Sequence, residues 1–379
     1  MTQNTDIEIS EVEVTDHPEY MDHETVYKIH SAGRNVTAFI SIHNSALGPA
    51  LGGIRFKHYQ SQDEALGDVL RLAEAMTWKN AAGGLAHGGG KGVLMASEGE
   101  TAPSKEALDV LIYGLNRINE NAALYYGAED MNFNEESLDY IFAQAPWIKG
   151  ATSDDPSVVS GTPAPLTAIG VYECMKVAAK YKLGKDSLRD LRVSMQGLGA
   201  VGKELAKHLS KDGVTLIGCD VSDAPFEQLA AEGVSIERVG LDEIYDAPAD
   251  IFAPNAIGGT INEETIQRLK TAGVQIVCGA ANNQQRDQVG SSESKTMHEQ
   301  GILYCPDYIV NAGGVIWVAK VGEDAQAVTE DIREGVPKRF EEVLKLHEQE
   351  PESDLATIAA RYSRKRVEEA RAQKDRKAG

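Results

Sequence analysis

Basic residues are in short supply in this chain. Its 37 Lys and Arg stand against 58 Asp and Glu, for a formal net charge of −21. That balance excludes a general nucleic-acid binder, because phosphate requires basic patches, and it excludes attraction to an anionic membrane surface for the same reason. The acidic excess favours solubility. Cysteine is scarce too: Cys174, Cys219, Cys278 and Cys305, none of them in a CxxC pair. A disulfide scaffold is therefore excluded, and the four read as reduced, mostly buried thiols of a cytosolic protein. No run reaches the roughly 20 apolar residues of a membrane span. The amino-terminal MTQNTDIEIS lacks the basic start and apolar stretch of a signal peptide. Internal repeats and low-complexity tracts are absent. The expected location is the cytoplasm, and no residue is assigned to a metal.

What is present is an ordinary globular composition, 42% hydrophobic and 25% charged, over 379 residues. That length suggests two domains. Residues 1–20 are polar and expected to be ordered only in part. The pattern from Thr25 to Ile42 predicts paired strands around the turn Ala32-Gly33-Arg34. The glycine-rich segment Gly48–Phe56 predicts an unusual turn or a close backbone approach. A helix follows, with Ser61 as N-cap and Glu64 completing a capping box. A second glycine-rich loop is expected over Gly83–Met95, with helices over 104–120 and 134–144. The run Gly150–Pro165 breaks regular structure and marks an interdomain crossing. Beyond a helix from about Thr167 to Tyr181, strands and helices alternate, which predicts a parallel sheet covered by helices.

Residues Gly197-Leu198-Gly199-Ala200-Val201-Gly202 form GxGxxG between a predicted strand and a predicted helix. In that context the pattern points to a dinucleotide site. Gly197 permits the tight turn, Gly199 lets backbone N–H groups approach a pyrophosphate, and Gly202 lets the helix sit close to the sheet. Asp220 ends the next strand, 23 residues after Gly197. A carboxylate there accepts both ribose hydroxyls of NAD and repels the 2′-phosphate of NADP. No Arg or Lys follows in VSDAPFEQL.

Lys79 and Lys91 flank the second glycine-rich segment. GGGKG is not a phosphate loop, because Leu85 and Gly92 stand where GxxxxGK[ST] needs Gly and Ser or Thr. A lysine packed among glycines can be desolvated, which lowers its pKa and makes it a usable base. Lys79, at the end of a helix, keeps its charge and can hold a carboxylate. A solvated surface lysine is the plain alternative for each.

The ordered motifs HNSALGPALGGIRF, AMTWKNAAGGLAHGGGKGV, GAED, GLGAVG, APNAIGG, GAANNQ and PDYIVNAGGVI span roughly residues 24–340. Together they resemble the amino-acid dehydrogenase family of the Glu, Leu, Phe and Val enzymes, most of all the leucine dehydrogenase type. The resemblance implies an α/β protein of two domains. Residues 1–149 would form a substrate-binding and oligomerisation domain with a mixed sheet, to which 345–379 return; 150–344 would form an NAD-binding Rossmann domain. It also implies reversible oxidative deamination of an L-amino acid to a 2-oxo acid and ammonia, with NAD as cofactor. The partners are then small molecules and further copies of the chain, with no nucleic acid or membrane. By the same resemblance Lys79 holds the substrate carboxylate, Lys91 activates water, and Asp130 exchanges protons with the amino group. Asn311 and the backbone of Gly52 fix the substrate, while Thr167, Ala256 and Asn282 line the nicotinamide side.

Three departures stand out. Asp130 is followed by Met131-Asn132-Phe133, where the family usually has Val-Gly-Thr. His87 replaces an apolar residue and could carry protons or simply pack. Trp78 replaces the more usual tyrosine. For the side-chain pocket, the resemblance assigns walls to Leu51, Ala128 and Val336, which suits a branched aliphatic substrate. An aromatic substrate remains open, as does an acidic one held by Arg333. A catalytically inactive NAD-binding regulatory protein is the reading from another class, and the presence of Lys79, Lys91 and Asp130 argues against it.

Overall fold

A computed structural model describes residues 6–285 and 292–378. The chain divides into two units. One comprises the residues up to Gly161, Val318–Ala325 and those from Arg364 on; the other comprises Thr162–Trp317 and Gln326–Ser363.

The first unit is built on strands β1 (Ile7–Glu11), β2 (Thr25–Ser31), β3 (Val36–Asn44), β4 (Ala50–His58), β5 (Gly88–Ala96) and β6 (Tyr125–Ala128). They form one sheet in the order β1-β2-β3-β5-β4-β6. The pairings from β1 to β5 are antiparallel, and β4 lies parallel to both β5 and β6, so the sheet is mixed as expected. Helix α1 (Gln62–Ala82) starts at Ser61, whose hydroxyl accepts the Glu64 N–H at 3.1 Å. The Glu64 carboxylate turns back to the Gln60 N–H at 2.8 Å, one residue before the cap. Helix α2 (Lys105–Ile118) buries Leu108, Leu111, Leu115 and Ile118, the three-four spacing of an amphipathic helix. Helix α3 (Glu135–Phe142) follows, capped by Asn134. Ile29, Ile40, Ile54 and Leu94 share a core with α2, whereas Phe39 and Val93 share one with Ala65 and Val69 of α1. Both sheet faces are thus covered. Side chains alternate along a strand, so Lys91 faces α1 together with Val93.

One strand adds to the expectations, and one expected loop is corrected. The segment near the amino terminus forms an edge strand, with Ile7 through Glu11 paired to Ser31 through Tyr27. The glycine-rich segments are adjacent inner strands, β4 and β5: the close backbone approach expected over Gly48–Phe56 is present, whereas the loop expected over Gly83–Met95 is confined to the part before Gly88. Packing density explains the second result. A Cβ on Gly89 would lie 2.0 Å from Thr77 Oγ1 of α1, and one on Gly52 would lie 1.8 Å from the Gly90 carbonyl oxygen. These strands carry glycine because helix and neighbouring strand come too close for any side chain.

The second unit begins with α4 (Ala164–Leu183) and continues through β7 (Arg192–Gln196), α5 (Ala200–Lys211), β8 (Thr215–Cys219), α6 (Ala224–Ala231) and β9 (Glu237–Arg238). Then come β10 (Ile251–Pro254), α7 (Glu263–Thr271), β11 (Ile276–Val277), α8 (Ser292–Glu299), β12 (Leu303–Tyr304) and α9 (Asp307–Val310). Helices α10 (Gly313–Ala319), α11 (Ala325–Gln349) and α12 (Leu355–Ala378) close the chain. The second sheet runs β12-β11-β10-β7-β8-β9 and every pairing is parallel. Its order reverses between β7 and β10, the switch point at which doubly wound sheets take ligands. The last turns of α12 belong to the first unit, where Arg366 donates to the Ala81 carbonyl at 2.5 Å and Lys374 to that of Ser45 at 2.6 Å.

The close approach of β5 and α1 predicts that Gly89→Ala destabilises the protein by about 2–3 kcal/mol, the cost of overpacking a filled core. The midpoint of chemical denaturation measures this, and an unchanged midpoint would show that α1 can move away freely.

Candidate functional site

In the first unit the sheet register assembles the side chains. Leu51 pairs with Gly89 and Ile54 with Gly92, which sets Gly53 level with Lys91; on its other side Gly53 pairs with Ala128. Lys91, Gly53 and Ala128 therefore stand in one row, with Leu51 and Tyr126 paired two residues upstream. Just past β6, Asp130 folds back over the missing Gly53 side chain. A Cβ on Gly53 would lie 2.9 Å from Asp130 Cβ. That space lets the Asp130 carboxylate reach the Lys91 ammonium, and the two side chains are in direct contact.

Lys91 is only 5% exposed. Burial pushes its pKa down to about 7, with Arg55 and Lys79 adding repulsion and Asp68 pulling the other way. An ionised Asp130 in contact also favours the charged lysine, so the neutral amine is reached as the pair gives up a proton together. Lys79 lies in the last turn of α1, where the helix C-terminus favours a cation.

The altered segment after Asp130 makes a tight turn. The Phe133 N–H donates to the Asp130 carbonyl at 3.0 Å, the Met131 N–H donates to Asp130 Oδ1 at 2.6 Å, and Asn132 sits at φ 57°. Asparagine thus takes the left-handed conformation at the position where the family usually has glycine. Asn132 Nδ2 also donates to the Phe56 carbonyl at 3.2 Å and Phe133 is buried, which ties the turn to β4.

His87 bonds through Nδ1 to the Pro49 carbonyl at 3.0 Å and meets the Tyr126 ring edge-on at 5.9 Å. Burial pushes its pKa down, and this is the setting of a packing residue. Trp78 donates to Glu74 at 3.1 Å. Two residues that the sequence reading passed over belong to the pair's surroundings. Arg55, on β4, approaches Asp130 Oδ1 at 3.5 Å and Asp68 Oδ2 at 2.9 Å, and Asp68 is itself buried. The only sequence signal was a charged residue inside the glycine-rich GGIRF.

The second unit carries the glycine cradle. Gly197 leaves β7 at φ +94°, and a Cβ there would meet Ala256 at 2.7 Å. A Cβ on Gly202 would sit 2.3 Å from the Gly197 carbonyl oxygen, while nothing lies within 4 Å of one on Gly199. Gly199 caps α5 without a side-chain bond, so the first N–H groups of that helix, at Ala200 and Val201, are left for an external acceptor. This cradle fits a dinucleotide pyrophosphate. Asp220 follows β8, accepting the Leu198 N–H at 2.7 Å and the Ser222 N–H at 3.0 Å. It braces the turn and retains lone pairs for ribose hydroxyls.

Asn311 Nδ2 donates to Asn282 Oδ1 at 2.9 Å and to the Ala280 carbonyl at 3.1 Å, whereas its buried Oδ1 has no partner among the described residues. Thr167 donates to the Pro163 carbonyl at 3.0 Å and lies against Gly314. Val336 is fully buried beside Gly170 of α4. Arg333 is 41% exposed and faces Glu173 and Glu330 at 3.7 and 3.6 Å. Among the described residues no cluster of His, Cys, Asp or Glu is arranged for a metal, and no helix is long and apolar enough to cross a membrane.

Comparison with known proteins points to one enzyme family. The family model for the Glu/Leu/Phe/Val dehydrogenase dimerisation domain matches residues 23–146, and that for glutamate/leucine/phenylalanine/valine dehydrogenase matches 220–375. Leucine dehydrogenase of Thermoactinomyces intermedius is 39% identical over 89% of this chain and 88% of its own. Valine dehydrogenase of Streptomyces albus is 37% identical over 80% of each chain. Among solved structures, L-tryptophan dehydrogenase of Nostoc punctiforme superposes with a TM-score of 0.78 at 30% identity, covering 93% of this chain and 97% of that one.

The cradle predicts that Gly202→Ala weakens NADH binding by about tenfold or more, because the helix must retreat from the turn that holds the pyrophosphate. Fluorescence titration with NADH measures it, and unaltered affinity would remove the pyrophosphate from this loop.

Proposed function

This chain belongs to the Glu/Leu/Phe/Val dehydrogenase family, and from the site's geometry we propose that it oxidatively deaminates a branched-chain L-amino acid with NAD as cofactor. The class of enzyme, a dinucleotide-dependent amino-acid dehydrogenase, follows from the family. The observation that carries the residue roles is the contact of the buried Lys91 with Asp130 on the sheet floor.

Lys79 binds the substrate carboxylate through its charge, and Asn311 offers its unpartnered Oδ1 to a donor of the substrate. The Gly52 carbonyl is fixed by the Tyr125 hydroxyl at 2.7 Å, which holds the backbone beside Leu51. Asp130 takes a proton from the substrate ammonium, since only a neutral amine can release hydride from Cα. The bound dinucleotide supplies the hydride acceptor. Lys91, as a neutral amine, removes a proton from the water that attacks the iminium carbon. Asp130 returns a proton to the departing ammonia. Burial is what makes Lys91 a base near neutrality, and Lys79 and Arg55 strengthen the effect.

Asp220 supports NAD over NADP, because a second anion at the ribose would be repelled. The cation of the neighbouring strand, Arg238, is engaged by Asp223. Thr167, Ala256 and Asn282 are assigned to the nicotinamide end. Leu51 and Ala128 give the pocket apolar walls, and the leucine and valine enzymes among the relatives favour a branched side chain. Val336, in the second unit, keeps its substrate assignment from the family resemblance alone. An aromatic substrate is the second reading: Tyr126 pairs with Leu51, and the solved relative acts on tryptophan. An acidic substrate has no support from Arg333, whose guanidinium faces Glu173 and Glu330. Self-association through the first unit is proposed from the description of its family model, and a cytoplasmic location from four buried free thiols.

With NAD and a panel of L-amino acids, the rate of NADH formation is expected to be highest for leucine, isoleucine or valine; preference for phenylalanine or tryptophan would transfer the pocket to the aromatic reading. NADP in parallel is expected to be poor, and Asp220→Ser to narrow the gap. For deamination, kcat/KM should rise with pH to a midpoint near the Lys91 value of about 7, because the protonated amine cannot accept the water proton. Lys91→Ala should lower kcat by about a thousandfold, within the range of a lost general base, while NADH binding stays intact. Retained turnover in that variant would remove Lys91 from the chemistry.

A further inference from the structure

Asp130 must do two things that conflict. It has to stay close to the Lys91 ammonium, yet offer a defined oxygen to an incoming amine. A carboxylate on a short turn could rotate and give both oxygens to the lysine. Arg55 prevents this from the adjacent strand. Its Nε and Nη2 both address Asp130 Oδ1 at 3.5 Å, and the Met131 N–H bonds the same oxygen at 2.6 Å. Oδ2 is the oxygen turned to Lys91.

Arg55 is in turn held from behind. Its Nη1 donates to Asp68 Oδ2 at 2.9 Å, the Tyr59 hydroxyl donates to that oxygen at 2.7 Å, and Arg71 takes the other oxygen at 2.6 Å. Asp68 projects from α1, the helix that also carries Lys79. Burial pushes the Tyr59 hydroxyl up and the Asp68 carboxylate pushes it further, so Tyr59 stays a donor throughout the working range. Burial opposes ionisation of Asp68, but the Tyr59 bond and Arg55 outweigh it and keep the carboxyl below its ordinary range. The arrangement is a fixed relay of Tyr59, Asp68, Arg55 and Asp130.

We propose that Arg55 is a positioning residue of the dehydrogenase reaction, which saturates Asp130 Oδ1 and leaves Oδ2 as the single oxygen shared between Lys91 and the substrate amine. The proposal rests on the reading of Lys91 and Asp130 as the reacting pair. A planar guanidinium is required, because Nη1 is directed to Asp68 while the Nε and Nη2 edge is directed to Asp130. Lysine at this place can supply the charge but not both directions. Around the pair stand Arg55 on β4, Asp68, Arg71 and Lys79 on α1, and Glu129 beside Asp130. Loss of the guanidinium charge raises the proton affinity of both Asp130 and Lys91, so both effects move the acidic limb of the deamination profile upward.

The test compares the parent, Arg55→Met and Arg55→Lys over a pH series, recording kcat, KM and NADH binding. Arg55→Met should lower kcat by about a hundredfold, the usual cost of misplacing a reacting group by an ångström, and raise the acidic limb by about one pH unit or more. Arg55→Lys should return most of the limb position while kcat stays about tenfold low, because charge is restored without the fork. NADH binding should be unchanged in both, and an unchanged denaturation midpoint of each variant shows that the first unit, which carries Arg55, also stays folded. The assignment is overturned if Arg55→Met keeps its limb in place, whatever happens to kcat, or if Arg55→Lys recovers kcat completely. A parent that reduces no dinucleotide with any amino acid overturns the reaction reading itself, and this inference with it; an active parent with an indifferent Arg55 overturns the inference alone.

Discussion

Taking an ammonium group out of water costs several kcal/mol even after the surroundings relax, and one hydrogen bond does not offset it. Lys91 is nevertheless buried on an inner strand. Much of the first unit follows from that constraint. A carboxylate has to reach the ammonium, so Asp130 folds back across Gly53, where any side chain would collide with it. The carboxylate has to be held, so Arg55 and the Met131 N–H occupy its second oxygen. Arg55 needs its own counter-charge, which Asp68 supplies from α1. That helix can stand so close only because Gly89 leaves room for Thr77. The glycine content of β4 and β5 and the charge network are thus one requirement expressed twice.

The second unit solves a different problem with the same means. An anionic cofactor needs unshared backbone N–H groups, and these are expensive unless a helix terminus presents them at the surface. Gly197 and Gly202 bring turn and helix together, and Gly199 keeps the opening clear. Asp220 adds rigidity by accepting the Leu198 N–H inside the turn. A carboxylate there repels further negative charge, so in the proposed function this one group both shapes the loop and selects the ribose. Asn311 extends the logic: its amide N–H groups are engaged by Asn282 and Ala280, which fixes which atom is left to accept.

Much of this was legible in the sequence, and the failures have physical causes. The GxGxxG turn, its flanking strand and helix, and Asp220 could be read because each carries a local signal. Helix α1 announced itself through its cap and periodicity, and α2 to α5 through pattern or motif. Strands β4 and β5 did not, because glycine has low strand propensity and reads as a turn unless the partner that forces it is known. Thr77 and the Gly90 carbonyl are such partners, and both are remote in sequence from the glycines that they constrain. β1 was missed for a related reason: its polar residues face outward on an edge strand, so only Ile7 is buried. Arg55 and Asp68 went unnoticed because ion pairs leave no spacing rule in a sequence. Their separation of 13 residues joins a strand to a helix, and the pairing exists only once α1 is laid on the sheet.

The charge of the whole chain and the charge of the site have opposite signs, and that contrast has a consequence. With a net charge of −21, the protein repels anions at long range. Around Asp130, Lys91 and Arg55 contact its carboxylate, Arg55 and Arg71 contact that of Asp68, and Lys79 adds its charge within range of Lys91. Four cations thus gather around these two carboxylates, and the buried Lys91 is shielded from salt far better than a surface patch would be. An amino acid meets this field with its carboxylate attracted and its ammonium opposed. In the proposed reaction binding is therefore eased when the ammonium gives its proton to Asp130, the same proton loss that hydride transfer requires. Ionisation of the substrate, the depressed basicity of Lys91 and the arginine that holds Asp130 are then set by a single local field, which the acidic remainder of the chain does not cancel at contact distance.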